Sequence, residues 1–120
     1  MTESENLINY IEFVTPDAVK VRAVYEQAYG WSFSDPVPEL GNASVAEIPG
    51  GGAFGVRAPM QSQESPAVRI YARVPDLRDA VDKARRLGAE MMLEEMEIPG
   101  RGKIAIYSLG GFEHGIWQPA

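Results

Sequence analysis

Three strand-like stretches place ionisable and aromatic side chains at alternate positions, the spacing that gathers them on one face of a β-strand. In "LINYIEFVT", Tyr10, Glu12 and Val14 share a face. Arg69, Tyr71 and Arg73 do so in "AVRIYARV", and Glu113, Gly115 and Trp117 in the closing "GGFEHGIWQP". Arg57 stands two residues past Gly55, as Trp117 stands two past Gly115. Glu12 is the candidate general base, since a carboxylate partly withdrawn from water becomes a better proton acceptor. Arg57 and Arg69 carry planar forks that can grip a ligand carboxylate through two parallel hydrogen bonds. Tyr10, Tyr71 and Trp117 would supply aromatic walls, and Gly55 and Gly115 would leave space between them. Such a face suits a planar or carbonyl-bearing small molecule. The competing reading of Glu12 is an ion pair with Arg69 that only ties strands together.

Two other stretches invite chemistry and lose it on inspection. His114 is the only histidine, the residue type most often used for proton transfer. Alternation places it with Ile116 and Gln118, on the face opposite Trp117. "IPGGGAFG" has the glycines of a phosphate loop, but no Lys-Ser/Thr pair closes it and no helix pattern follows.

The elements that must position these residues occur twice. Leu7–Thr15 is short, β-branched and aromatic, as a strand should be. Pro16-Asp17 then opens a helix whose apolar residues Val21, Val24, Tyr25 and Ala28 recur at helical spacing, and Gly30 closes it. Strands are expected at Ser32–Ser34, Ala43–Ile48 and Ala53–Arg57. The second half replays this order: a strand at Ala67–Val74, then a helix opened by Pro75-Asp76 and closed at Gly88. Its stripe is Leu77, Ala80, Val81, Ala84 and Leu87. Strands at Ala89–Glu94, Lys103–Tyr107 and Phe112–Trp117 complete it. Pro75 follows Pro16 by 59 residues, Gly88 follows Gly30 by 58 and Gly115 follows Gly55 by 60, offsets close enough to indicate duplication. The expected fold is α+β: two tandem βαβββ modules, at about residues 5–58 and 66–119 of a single domain spanning 1–120. They are expected to form a curved mixed sheet with its helices on the outer face. One helix per module covers only one sheet face, so the other is expected to form a cleft holding Tyr10, Glu12, Arg57, Arg69, Tyr71 and Trp117.

These residues carry a family resemblance. "LINYIEFVTPDAVKVRAVYEQAYGWSF", "GGAFG" and "EIPGRGKIAIYSLGGFEHGIWQP" resemble the vicinal oxygen chelate superfamily, which includes glyoxalase I, bleomycin-resistance proteins and extradiol dioxygenases. The branch they look most like is that of the glyoxalase-related predicted enzymes. The resemblance spans nearly the whole chain and implies the paired βαβββ fold. It also implies, for metal-using members, His, Gln and Glu ligands from the first and last strand of each module. The corresponding positions here are Tyr10 and Arg69 on first strands, and Gly55 and Gly115 on last strands. None is a usual ligand: arginine stays protonated and repels a cation, and glycine has no side chain. No metal or other cofactor is therefore expected.

Composition narrows the classes further. A net charge of −6 disfavours nucleic acid and anionic membrane surfaces. The absence of cysteine removes disulfides and thiolate chemistry. "MTESENLINY" lacks the basic start and apolar run of a secretory signal, and no window has the roughly 20 apolar residues of a membrane span, so a cytoplasmic protein is expected. The functional expectation is a small-molecule-binding or metal-independent catalytic domain of the glyoxalase and bleomycin-resistance type, pairing as a homodimer. One alternative is a metal-dependent lyase or isomerase like glyoxalase I, holding a divalent ion. The other is a non-catalytic partner or regulatory module.

Overall fold

In a computed structural model describing residues 7–120, the chain divides into two compact units. One is Tyr10–Val68; the other joins Arg69–Ala120 to residues 7–9. The expected start of the first module, near residue 5, lies outside the described residues.

The first unit is built from strand β1 (Ile8–Val14), helix α1 (Ala18–Tyr29), and strands β2 (Ser44–Glu47) and β3 (Ala53–Arg57). β1 runs parallel to β3, with Tyr10 opposite Ala53, Glu12 opposite Gly55 and Val14 opposite Arg57. β2 is antiparallel to β3. A parallel pair needs a long crossover, and the segment carrying α1 supplies it. Ser32–Ser34 does not become a strand; it attaches to β2 through the Ser34 N–H, which donates to the Val45 carbonyl at 2.8 Å. Its own Ser34 hydroxyl accepts from the Val45 N–H, so a side chain takes the place of the next ladder bond.

α1 ends as expected. Gly30 adopts the left-handed conformation at φ 78°, and its N–H and that of Trp31 cap the carbonyls of Glu26 and Tyr25. The inward side of α1 departs from the expected stripe, because Val24 is half exposed and Ala28 lies outside. Tyr25 carries the contact instead, edge-on to Phe13 of β1 and 5.2 Å from Phe54 of β3. Trp31 packs against Phe54 in turn, with ring centroids 5.1 Å apart. Aromatic pairs of this geometry add about 0.5–1.5 kcal/mol each beyond the area they bury. The helix-covered face of the first unit is an aromatic cluster.

The second unit comprises β4 (Ala67–Arg73), α2 (Leu77–Arg86), β5 (Glu90–Ile98), β6 (Gly102–Leu109) and β7 (Phe112–Gln118). β4 is parallel to β7, with Tyr71 opposite Gly115, and β7, β6 and β5 form an antiparallel meander. Asp76 caps α2, its carboxylate accepting the Asp79 N–H at 3.0 Å. Asp17 makes no such bond at the start of α1. Leu77 and Val81 of α2 pack on Ala105 and Ile116, all buried, with Met91 and Tyr107 at the margin. Burying side chains of this size stabilises a fold by roughly 1.5–3 kcal/mol each. Leu87 does not complete the stripe: it ends the helix, 83% exposed. The α+β class is as the sequence predicts; the second unit has the full βαβββ order, the first lacks the strand expected at Ser32–Ser34, and each helix covers one face of its own unit.

Candidate functional site

The side chains singled out from the sequence fall into two clusters, one in each unit, on the strand faces that the helices leave uncovered. Tyr10, Glu12 and Arg57 belong to the first unit; Arg69, Tyr71 and Trp117 belong to the second. Five of the six are buried, and Arg69 is partly buried.

In the first unit Arg57 is the hub. Its Nε donates to Glu12 Oε2 at 2.8 Å, and its two terminal nitrogens donate to the Glu64 carboxylate at 3.3 and 2.9 Å. Nη1 also donates to the Ala58 carbonyl. Parallel register explains the first contact: Glu12 lies opposite Gly55, so Arg57, two residues on, is its diagonal neighbour on the same face. Burial opposes the charge on Arg57 more than any other single influence. The hydrogen bonds and charges of Glu64 and Glu12 together outweigh it, and the guanidinium is held still more firmly protonated than usual. Glu64 comes from the loop after β3, where the sequence has no period to announce it. Its only signal in the sequence is a lone acid in the polar stretch "MQSQESP".

This arrangement corrects the expected pairing. Glu12 meets Arg57, whereas Arg69 donates to Glu113 of β7. Arg69 and Glu113 each lie two residues ahead of the Tyr71–Gly115 register pair, so they face each other directly across parallel strands. Alternation puts Glu113 on this face, but the cross-strand register that makes it a partner is absent from the sequence. Arg73 donates through Nε to Asn9 Oδ1 at 3.2 Å. Trp117 stacks edge-on against Tyr71, with centroids 5.4 Å apart, and its indole N–H donates to the Arg101 carbonyl at 2.8 Å. That bond ties β7 to the Pro99–Gly102 turn.

The expectation of open space at Gly55 and Gly115 is also corrected. A Cβ at Gly55 would land on the Tyr10 hydroxyl, and one at Gly115 would land on the Tyr71 ring. The tyrosines have collapsed into the room the glycines leave, because dispersion and apolar burial favour a filled interior. The two solutions differ in detail. Tyr10 reaches Gly55 diagonally, whereas Tyr71 sits directly opposite Gly115.

His114 falls on the helix-covered face, as alternation predicts. It stacks on Tyr107 at 5.0 Å, and its Nε2 is 3.0 Å from the Leu109 carbonyl, across the hairpin between β6 and β7. It belongs to that hairpin and not to either cluster.

The residues at the implied metal-ligand positions do not fit a cation. Two are glycines covered by aromatic rings, one is an arginine in an ion pair, and one is a tyrosine packed on a glycine. Among the described residues there is no group of three or more His, Asp or Glu arranged to hold a metal. Among them, too, no helix is long and apolar enough to cross a membrane.

The fold is consistent with the paired βαβββ architecture that the resemblance implies, with the first unit one strand short. Solved structures that share it include a hypothetical protein, BH1468 from Bacillus halodurans C-125, with a TM-score of 0.76 at 11% identity over 94% of each chain. Methylmalonyl-CoA epimerase from Mycobacterium tuberculosis has a TM-score of 0.74 at 16% identity, covering 100% of this chain and 92% of its own. A variant of Streptomyces coelicolor methylmalonyl-CoA epimerase, in complex with 2-nitronate-propionyl-CoA, has a TM-score of 0.69 at 16% identity, covering 97% of this chain and 99% of its own. Likeness at this identity is likeness of fold. No family model matches the chain, and comparison with curated proteins finds no match in sequence.

Proposed function

We propose that this chain is a small-molecule-binding domain of the glyoxalase and bleomycin-resistance type, acting without a resident metal ion. The observation that carries the reading is the tyrosine-over-glycine packing at Gly55 and Gly115. It leaves aromatic, guanidinium and carboxylate groups, not a ligand cage, on the helix-free faces. In the first unit those groups are Tyr10, Glu12 and Arg57, and in the second Arg69, Tyr71 and Trp117; each set joins an aromatic ring to a guanidinium, which suits a planar ligand bearing oxygen. If the domain is catalytic, Glu12 is the base of a lyase or isomerase reaction, and it must first give up its bond to Arg57. The isomerase possibility gains support from the fold shared with proteins named methylmalonyl-CoA epimerases. The domain works in the cytoplasm as a homodimer, and exposed Val68, Ile70, Met92 and Met96 are apolar surface that pairing would cover.

The test is a thermal-shift screen of α-keto acids, thiol adducts, glycopeptide antibiotics, methylmalonyl-CoA and divalent metals, with metal analysis of protein purified without chelator. A ligand that binds only the folded state raises its melting temperature. Organic ligands should do so while the purified protein carries no stoichiometric metal. Stoichiometric nickel, zinc, iron or manganese, lost in Glu12→Gln or Glu113→Gln, would overturn the metal-free reading in favour of a glyoxalase I-like enzyme. A distinct protein co-purifying, with no ligand response, would favour a partner module. The mass of the particle in solution checks the homodimer.

A further inference from the structure

The loop after β3 places a carboxylate where an external one would bind. Glu64 does not merely approach Arg57. Its two oxygens lie against the two terminal nitrogens of the guanidinium, the fork-on-fork geometry that arginine offers to a free carboxylate. Glu64 Oε1 also accepts the Met60 backbone N–H at 2.7 Å. One carboxylate is thus held by three donors, two from Arg57 and one from the main chain.

The cradle is rigid and the occupant is not deeply enclosed. Arg57 has a side-chain exposure of 4%, and its Nε is locked to Glu12. Gly41, at φ 67°, lies flat against the arginine stem, so that even a Cβ there would sit 3.0 Å from Arg57 Cδ. Glu64 is a quarter exposed, so water reaches it at the mouth of the cradle. Charge points the same way. Glu12 alone neutralises Arg57; Glu64 makes the trio net negative, so the second carboxylate is not needed for neutrality. The loop around it, Gln61 to Pro66, is short and polar, and the Glu64 N–H turns back onto the Gln61 carbonyl at 3.0 Å.

We infer that Arg57 and the Met60 N–H form a carboxylate-binding site, and that Glu64 is its built-in occupant, displaced when a ligand carboxylate arrives. Resting on the small-molecule reading above, this assigns the ligand's chemical class: an organic carboxylate of small cross-section. Glu64 then sets the affinity threshold. A site open for only a fraction of the time binds more weakly by that fraction. Release of Glu64 frees the loop as the ligand enters.

The experiment compares wild type with Glu64→Ala and Glu64→Gln, using sodium propionate and sodium pyruvate as probes against sodium chloride at equal ionic strength. Melting temperature and the Met60 amide resonance are followed. Glu64→Ala should melt lower in chloride and recover saturably with propionate, with an apparent affinity at least about tenfold tighter than wild type. The Met60 amide should shift along the same curve, a response that general salt effects do not give. Glu64→Gln, which keeps an acceptor for the Met60 N–H and loses the charge, should fall between the two. The inference is overturned if Glu64→Ala responds to propionate no more than to chloride and its Met60 amide stays put. Failure of the broader reading looks different. A propionate response in Glu64→Ala with no hit in the ligand screen leaves this site standing. A screen hit without the propionate response removes the site and keeps the reading.

Discussion

Replacing Arg57 by methionine tests whether the Glu12–Arg57–Glu64 trio holds the first unit together. Methionine keeps most of the apolar stem that packs beside Gly41, so little cavity opens and the change isolates the charge. What remains is Glu12, 7% exposed, facing no guanidinium, and Glu64 without its fork. Removing one partner of a buried pair costs about 3–5 kcal/mol, because the other charge stays stranded in a poor solvent. A small domain has roughly 5–15 kcal/mol in all, so this is a large share of the total. At about 3–4 °C per kcal/mol for a chain of this size, the melting temperature should fall by about 10–20 °C. Glu12→Gln alone should lose less, about 1–3 kcal/mol, since Glu64 still balances Arg57. In the double variant the stranded charge is gone, and the combined loss should undershoot the sum by at least about 2 kcal/mol. Urea unfolding followed by circular dichroism gives all three values. A loss below about 1 kcal/mol for Arg57→Met, or additivity within about 0.5 kcal/mol, would refute the reasoning.

Other outcomes follow from single contacts. Gly115→Ala should destabilise by about 1–3 kcal/mol through overlap with Tyr71, and Tyr71→Leu in the same chain should recover part of it, as read by denaturation. Asp76→Ala should cost about 1 kcal/mol by removing a helix cap, whereas Asp17→Ala should be nearly silent, although both aspartates follow a proline. Trp117→Phe removes the indole bond to the Arg101 carbonyl. It should cost about 1 kcal/mol and speed amide exchange in the Pro99–Gly102 turn relative to α2.

The sequence is informative where a feature is local and periodic. Helix starts at Pro-Asp, the stop at Gly30 and the faces of β1, β4 and β7 all depend on residues within a turn or two of each other, and they are found where expected. The same logic keeps His114 off the face that bears Trp117. Ion partners obey a different rule. Glu12 could have met Arg69 or Arg57, and only the register of β1 against β3 decides, a quantity that no stretch of one strand contains. Glu64 was illegible for a further reason: a loop has no period, so nothing in "QSQESP" tells which side chain turns inward. At Gly55 and Gly115 the missing side chains were visible, but a vacancy in one strand says nothing about the ring that a neighbouring strand brings to fill it. Ser32–Ser34 failed as a strand because the Ser34 side chain competes for the ladder.

The two tyrosine-over-glycine pairs also restrict the routes by which this chain can change. Neither glycine can acquire a side chain while its ring is in place, and neither ring can shrink without opening a void beside a glycine. An acidic residue at position 55 or 115 is reachable only after Tyr10 or Tyr71 has first given way. Each pair is therefore a ratchet: a carboxylate at either position takes two changes, the first of them destabilising.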